Sequence, residues 1–155
     1  MDAYPFAPVT FYLAPNGNDA WSGRLAEANA EATDGPLASI PGALAKVRAM
    51  RDRPRNPEVV DVVGAMHGPV VVYLRGGRYP IAAPITITPA DCAPITFAAY
   101  PDETPILDGG VRIEDWVTTQ INGQTAWVAD LPTVRSGEWN FRQLFVDGER
   151  RSRPR

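Results

Sequence analysis

The chain has 155 residues, 45% hydrophobic and 21% charged, enough for one domain with an ordered core. A formal charge of −3 and a sequence pI of about 5.1 give no overall attraction to nucleic acid or an anionic membrane, so neither is expected as a partner. Cys92 is the single cysteine, which excludes an intrachain disulfide and a thiolate zinc site and leaves the redox compartment open.

Sixteen prolines and 13 glycines, 29 of 155 residues, exceed the usual ~12% and predict turn-rich β structure with few long helices. The opening "MDAYPFAPVTFYLAP" has no basic segment followed by an apolar one. No run approaches the ~18 apolar residues of a membrane span. A soluble protein is expected, extracellular or periplasmic if a leader was removed and cytoplasmic if Met1 is the native start.

In chain order, "VTFYLA" at 9–14 is a strand, rich in β-branched and aromatic residues and stopped by Pro15-Asn16-Gly17. Residues 15–39 are crowded with Asn, Asp, Gly, Ser and Pro, whose side chains bond locally to the backbone or permit positive φ. They form a long surface loop ordered by Trp21. From Ser39, the spacing of Ile40, Leu44, Val47 and Met50 predicts one short amphipathic helix with Ser39 as N-cap and basic residues near its end. Pro54 and Pro57 end it, and "EVVDVVGAMHG" reads as loop with one turn of helix.

Residues 70–130 hold short strands bounded by Gly or Pro: "VVVYL", "ITIT", "ITFAAY", "ILDGG", "VRI" and "TAWVADL". Val72 to Thr96 is a step of 24 (96 − 72), and Ile85 to Ile106 is a step of 21 (106 − 85). Long, Pro-rich links between nearly continuous apolar runs suit a parallel coil better than a hairpin meander. In a right-handed β-helix, each turn of roughly 20 to 25 residues pairs with the turn below. On this reading "VVVYL" stacks under "ITFAA" and "ITIT" under "PIL". A coil ending near residue 110 exposes strand edges, so it needs a cap, another coil or a partner. "TAWVADL" and "RQLFVDGERR" are read as two strands of an accessory β unit over 111–155.

The blocks "FYLAPNGNDAWSG", "TDGPLASIPGALAKVRAM", "VVVYLRGGRYPI", "PITFAAYPDETPILDGG" and "FRQLFVDGERR", in this order and spacing, resemble the N-terminal region of right-handed parallel β-helix carbohydrate-active proteins. The nearest type is the β-helical glycoside hydrolase of xylosidase or fucosidase kind, with pectate-lyase-like enzymes more distant. The resemblance covers nearly the whole chain. It implies an all-β fold: the cap and first β-helix coils over 1–110 with one short N-terminal capping helix, then an accessory β unit over 111–155. It further implies a carbohydrate substrate, no cofactor, catalytic carboxylates on later coils beyond residue 155, and an N-terminal fragment inactive by itself. The exposed last coil is then covered by the remainder of the same polypeptide or by a partner chain. A non-catalytic glycan-binding module, a structural β-helix of adhesin or phage-spike kind, and a polysaccharide-lyase-like protein are the alternatives.

Glycoside hydrolysis needs two carboxyl groups held ~5 to 9.5 Å apart. Asp34, Asp108 and Asp147 each precede Gly and read as turn residues. Asp19, with Asn16 and Asn18, is a weak calcium candidate because hard oxygen ligands suit that ion, although an Asx-turn is the simpler role. His67 has no second histidine to build a metal cluster or triad with, and no "GxSxG" elbow is present. Cys92 reads as a small packing residue. "RGGR" at 75–78 lacks the Walker spacing and reads as a tight coil turn. Trp21, Trp116, Trp127 and Trp139 include at most one sugar-stacking platform, and Trp139 in "SGEWNFRQ" is the best placed. Arg151 and Arg153, in the basic end that also holds Arg150 and Arg155, are the other candidate substrate contacts, since guanidinium pairs well with an acidic sugar.

Overall fold

The computed structural model describes residues 8–51, 69–91 and 94–152. His67, Cys92, Arg153, the two helix-ending prolines and the 58–68 segment lie outside the described residues. The chain is mostly β with few helices and divides into two compact units, Met1–Gly110 and Val111–Arg155. No helix among the described residues is long and apolar enough to cross a membrane.

In the first unit, strands β1 (Val9–Leu13), β2 (Val70–Leu74) and β4 (Ile95–Ala99) form one sheet in the order β1-β2-β4. Strands β3 (Gly77–Pro80) and β5 (Pro105–Asp108) form a second. Both sheets are parallel: Phe11 pairs with Val72, Val72 with Phe97, and Tyr79 with Leu107. Parallel neighbours cannot be joined by a hairpin, which is why long loops and a helix separate them.

The register corrects three expectations. Val72 lies opposite Phe97, so the step is 25 (97 − 72) and not 24. The "PIL" strand pairs with Gly77–Pro80 at a step of 28 (105 − 77), and not with "ITIT". Residues 85–88 form no strand. Pro84 and Pro89 bracket them and supply no N–H. The Thr86 carbonyl accepts from Arg48 (3.3 Å), and the Thr88 N–H donates to the Asp91 carboxylate (2.7 Å). Side chains thus take backbone groups that a ladder would need.

Strands β1 and β2 alternate: Phe11, Leu13, Val70, Val72 and Leu74 are buried, while Tyr12, Val71 and Tyr73 face the other way. This is the period-2 burial of a one-sided core. Helix α1 (Ile40–Arg51) contributes Ile40, Ala43, Leu44 and Val47 to the same cluster, with Met50 packed at its margin. Ser39 is its N-cap, the hydroxyl accepting from the Gly42 N–H (3.0 Å). Burial fades along the stack. Val72 is 0% exposed, its partner Phe97 is 37%, and Ile106 and Leu107 on β5 are 45% and 54%. Among the described residues, no strand pairs with β4 or β5 on the side away from β2 and β3.

In the second unit, β6 (Val117–Ile121) and β7 (Gln124–Val128) form an antiparallel hairpin, as do β8 (Leu144–Val146) and β9 (Glu149–Arg151). Helix α2 (Pro132–Arg135) is a single turn. "TAWVADL" and "RQLFVDGERR" were expected to be one strand each; instead the first supplies β7 beside an unforeseen "VTTQI" strand, and the second folds back on itself. The turns explain this. Asn122-Gly123 and Asp147-Gly148 all have positive φ (51°, 76°, 54° and 79°), the backbone that closes two-residue hairpins. "VRI" at 111–113 forms no strand.

Candidate functional site

The 15–39 loop is organised by side-chain carboxylates. Asp34 accepts from the Ser22 N–H and hydroxyl, both at 2.7 Å, and from the Gly35 N–H (2.9 Å). These bonds, the Ser22 N–H foremost, hold its carboxyl below the usual range. Asp19 accepts from the Ala38 N–H (2.8 Å), the Ser39 N–H (3.0 Å) and the Ser39 hydroxyl (2.6 Å). Asp19 therefore fastens the loop to the start of α1, while the local Asx-turn belongs to Asn18, whose Oδ1 accepts from the Ala20 N–H (2.9 Å). Among the described residues, no group of three or more His, Cys, Asp or Glu side chains is placed to hold a metal ion.

Two Arg–carboxylate pairs stitch later segments to this frame. Arg48 on α1 grips Asp91 with Nε (2.8 Å) and Nη2 (2.6 Å). Asp91 also accepts from Thr88 and is buried. Arg48 is the main cause of its strongly lowered pKa. Arg75, just after β2, donates from Nε to Glu103 (2.8 Å) and from Nη1 to the Ala26 carbonyl (2.8 Å), with Glu27 at 3.4 Å. Glu103 further accepts a short hydrogen bond from the Gly76 N–H, the leading reason its carboxyl stays below the usual range. The Arg75 guanidinium also lies 4.8 Å from the Tyr100 ring centre. Tyr12, Tyr73 and Tyr100 stand 6.1 Å apart, pair by pair, along the outer face of the stack.

Between the 15–36 loop and the turns carrying Arg75 and Glu103 lies an open cavity of about 610 Å³, walled by Asn16, Trp21, Glu27, Arg75 and Glu103 among others. Trp21 is half-buried. It seats against Gly35, where an added Cβ would come 2.7 Å from the indole. The volume falls within the ~300 to 1,000 Å³ of ligand pockets. Glu103 is ionised and anchored, so it is no proton donor at neutral pH. The cavity lining sets an aromatic ring beside amide, guanidinium and carboxylate groups.

Of the three candidate contacts from the sequence, Arg153 lies outside the described residues, and Trp139 and Arg151 belong to the second unit. Trp139 stacks on Phe141 with ring centres 5.4 Å apart and is half-buried. Arg151 is exposed, pairs with Glu149 (3.2 Å) and donates to the Val146 carbonyl (3.4 Å). Neither partner brings the two side chains together. Sequence reading missed Arg75 and Glu103 as a pair. The signal was the coil step: 103 − 75 is 28, the same offset that places Pro105 beside Gly77.

No family model and no curated protein matches this chain. A solved structure titled "Glycoside hydrolase" matches it with a TM-score of 0.68 and 28% sequence identity over 94% of this chain. The match spans 22% of that structure's chain.

Proposed function

We propose that this chain forms the N-terminal cap and first coils of a right-handed parallel β-helix in a longer glycoside hydrolase. The catalytic carboxylates would stand on later coils outside these 155 residues. The observation that carries this reading is the likeness over 94% of the chain to a structure titled "Glycoside hydrolase", of which it spans 22%. The parallel, in-line pairing of β1-β2-β4 and β3-β5 supports it, since stacked coils repeat in this way. So do the open β4 and β5 edges, which suit a following coil of the same polypeptide. Every described carboxyl group with a shifted ionisation is shifted downward, whereas a glycosidase acid needs a raised one.

The test is to express the complete reading frame of the source gene beside residues 1–155 and assay both with chromogenic aryl β-xylosides and α-fucosides. Hydrolysis by the longer polypeptide and none by residues 1–155 is expected. A frame that stops at Arg155, or a longer polypeptide inert on glycosides, overturns the reading in favour of a non-catalytic module.

A further inference from the structure

We propose that the cavity walled by Asn16, Trp21, Glu27, Arg75 and Glu103 is a binding subsite for a neutral saccharide. The choice of a saccharide rests on the glycoside-hydrolase reading above; the site itself rests on geometry. Trp21 supplies an aromatic surface held in place by Gly35, and an indole face complements the C–H face of a pyranose while shedding water. Polar groups with remaining hydrogen-bond capacity surround it. Among the described residues, the Asn16 carboxamide has no protein partner, and Arg75 donates through Nε and Nη1 but not Nη2. The Glu27 side chain is 81% exposed at the rim, and its polar partner among the described residues is Arg75 Nη1, at 3.4 Å. A ring of vicinal hydroxyls, each both donor and acceptor, matches this mixture of amide, guanidinium and carboxylate.

Charge sets the class of sugar. One arginine faces two glutamates, a formal balance of −1 (1 − 2), and Glu103 already occupies the Arg75 Nε. An acidic sugar would meet repulsion from Glu27 and no free bidentate fork, so a neutral sugar is favoured.

The experiment titrates the 155-residue chain with xylobiose and separately with digalacturonate, following the Trp21 indole N–H resonance by NMR, assigned with Trp21→Phe. Xylobiose should shift it saturably at millimolar concentration. Digalacturonate should bind at least about tenfold more weakly. Trp21→Leu, which lacks that resonance and is followed through backbone amide shifts instead, should weaken xylobiose by at least about tenfold, the loss typical of a truncated aromatic anchor. Glu27→Ala should weaken it by about tenfold, as for a hydrogen bond to a charged group. Should Trp21→Leu disturb the loop, Glu27→Ala still decides, because that rim side chain bears little of the fold. A resonance unmoved by xylobiose, equal affinity for digalacturonate, or full affinity in Glu27→Ala overturns the proposal. If the longer polypeptide hydrolyses glycosides while xylobiose fails here, only the subsite is lost; binding here beside an inert longer polypeptide removes only the hydrolase.

Discussion

Tyr79 is the clearest case of a single side chain holding two segments. Its buried hydroxyl lies 2.8 Å from the Arg75 carbonyl and 3.0 Å from that of Leu13, sharing one proton between strands far apart in sequence. Burial first, and the Glu103 charge second, push its pKa up to about 12. The folded state thus favours the neutral phenol, so its stabilising effect is complete below pH ~10, the unfolded value, and is lost as pH rises toward about 12. Tyr79→Phe should cost about 1 kcal/mol near neutrality and flatten the alkaline fall in the urea midpoint. The carboxylates act with the opposite sign. Asp91, held down chiefly by Arg48, and Glu103, held down chiefly by the Gly76 N–H, favour the folded state while ionised. Their contribution is present above the ordinary values of 3.8 and 4.5 and lost as pH falls below them. The urea midpoint should therefore drop in acid, and Asp91→Asn should remove part of that dependence. At this scale Asp147 was legible, because its Asp-Gly turn acts locally; Asp34, bonded to Ser22 twelve residues away, and Asp108, the last residue of β5, were not. The Arg48 and Arg75 partners were not, because they lie 43 and 28 residues away.

At the scale of elements, α1 shows how a local rule is reversed by its neighbour. Replacing Gly by Ala inside a helix ordinarily stabilises by about 0.5 to 1 kcal/mol. At Gly42 an added Cβ would stand 2.2 Å from Asp19 Oδ1, inside the carboxylate that fastens the loop to Ser39. Gly42→Ala should therefore lower the melting temperature, whereas the same change in an Asp19→Gly background should raise it. Thermal melts of the four proteins in this double-mutant cycle check the sign. The start of α1 and the existence of β1, β2, β4 and β5 could be read from apolar runs between Pro, Gly and Ser. The fate of "ITIT" could not. Its composition is that of a strand, but Pro84 and Pro89 bracket it and bonds to Arg48 and Asp91 withdraw its backbone. The Asn122-Gly123 hairpin is legible from its dipeptide, whose two residues both take positive φ.

For the first unit as a whole, the gradient of burial from β2 to β4 predicts unequal tolerance. Val72 and Phe97 are paired neighbours, yet Val72 is sealed and Phe97 stands on the open edge. Phe97→Lys should change stability by no more than about 0.5 kcal/mol, the range of surface substitutions, and should reduce self-association at high concentration by charging an edge strand. Val72→Lys should abolish the cooperative thermal transition, since it places an unpaired charge among apolar side chains. Circular dichroism and sedimentation velocity on the two variants separate these outcomes.

By itself the sequence determined that this chain builds turn-rich β structure around one short helix, because propensity, capping and Pro-Gly punctuation act within a few residues. Only the tertiary structure decided the 25- and 28-residue steps, the pairing of Arg48 with Asp91 and Arg75 with Glu103, and the cavity beside Trp21. Those features depend on how much chain each turn consumes before it meets the one below. That length is set by loop packing, which no local pattern encodes.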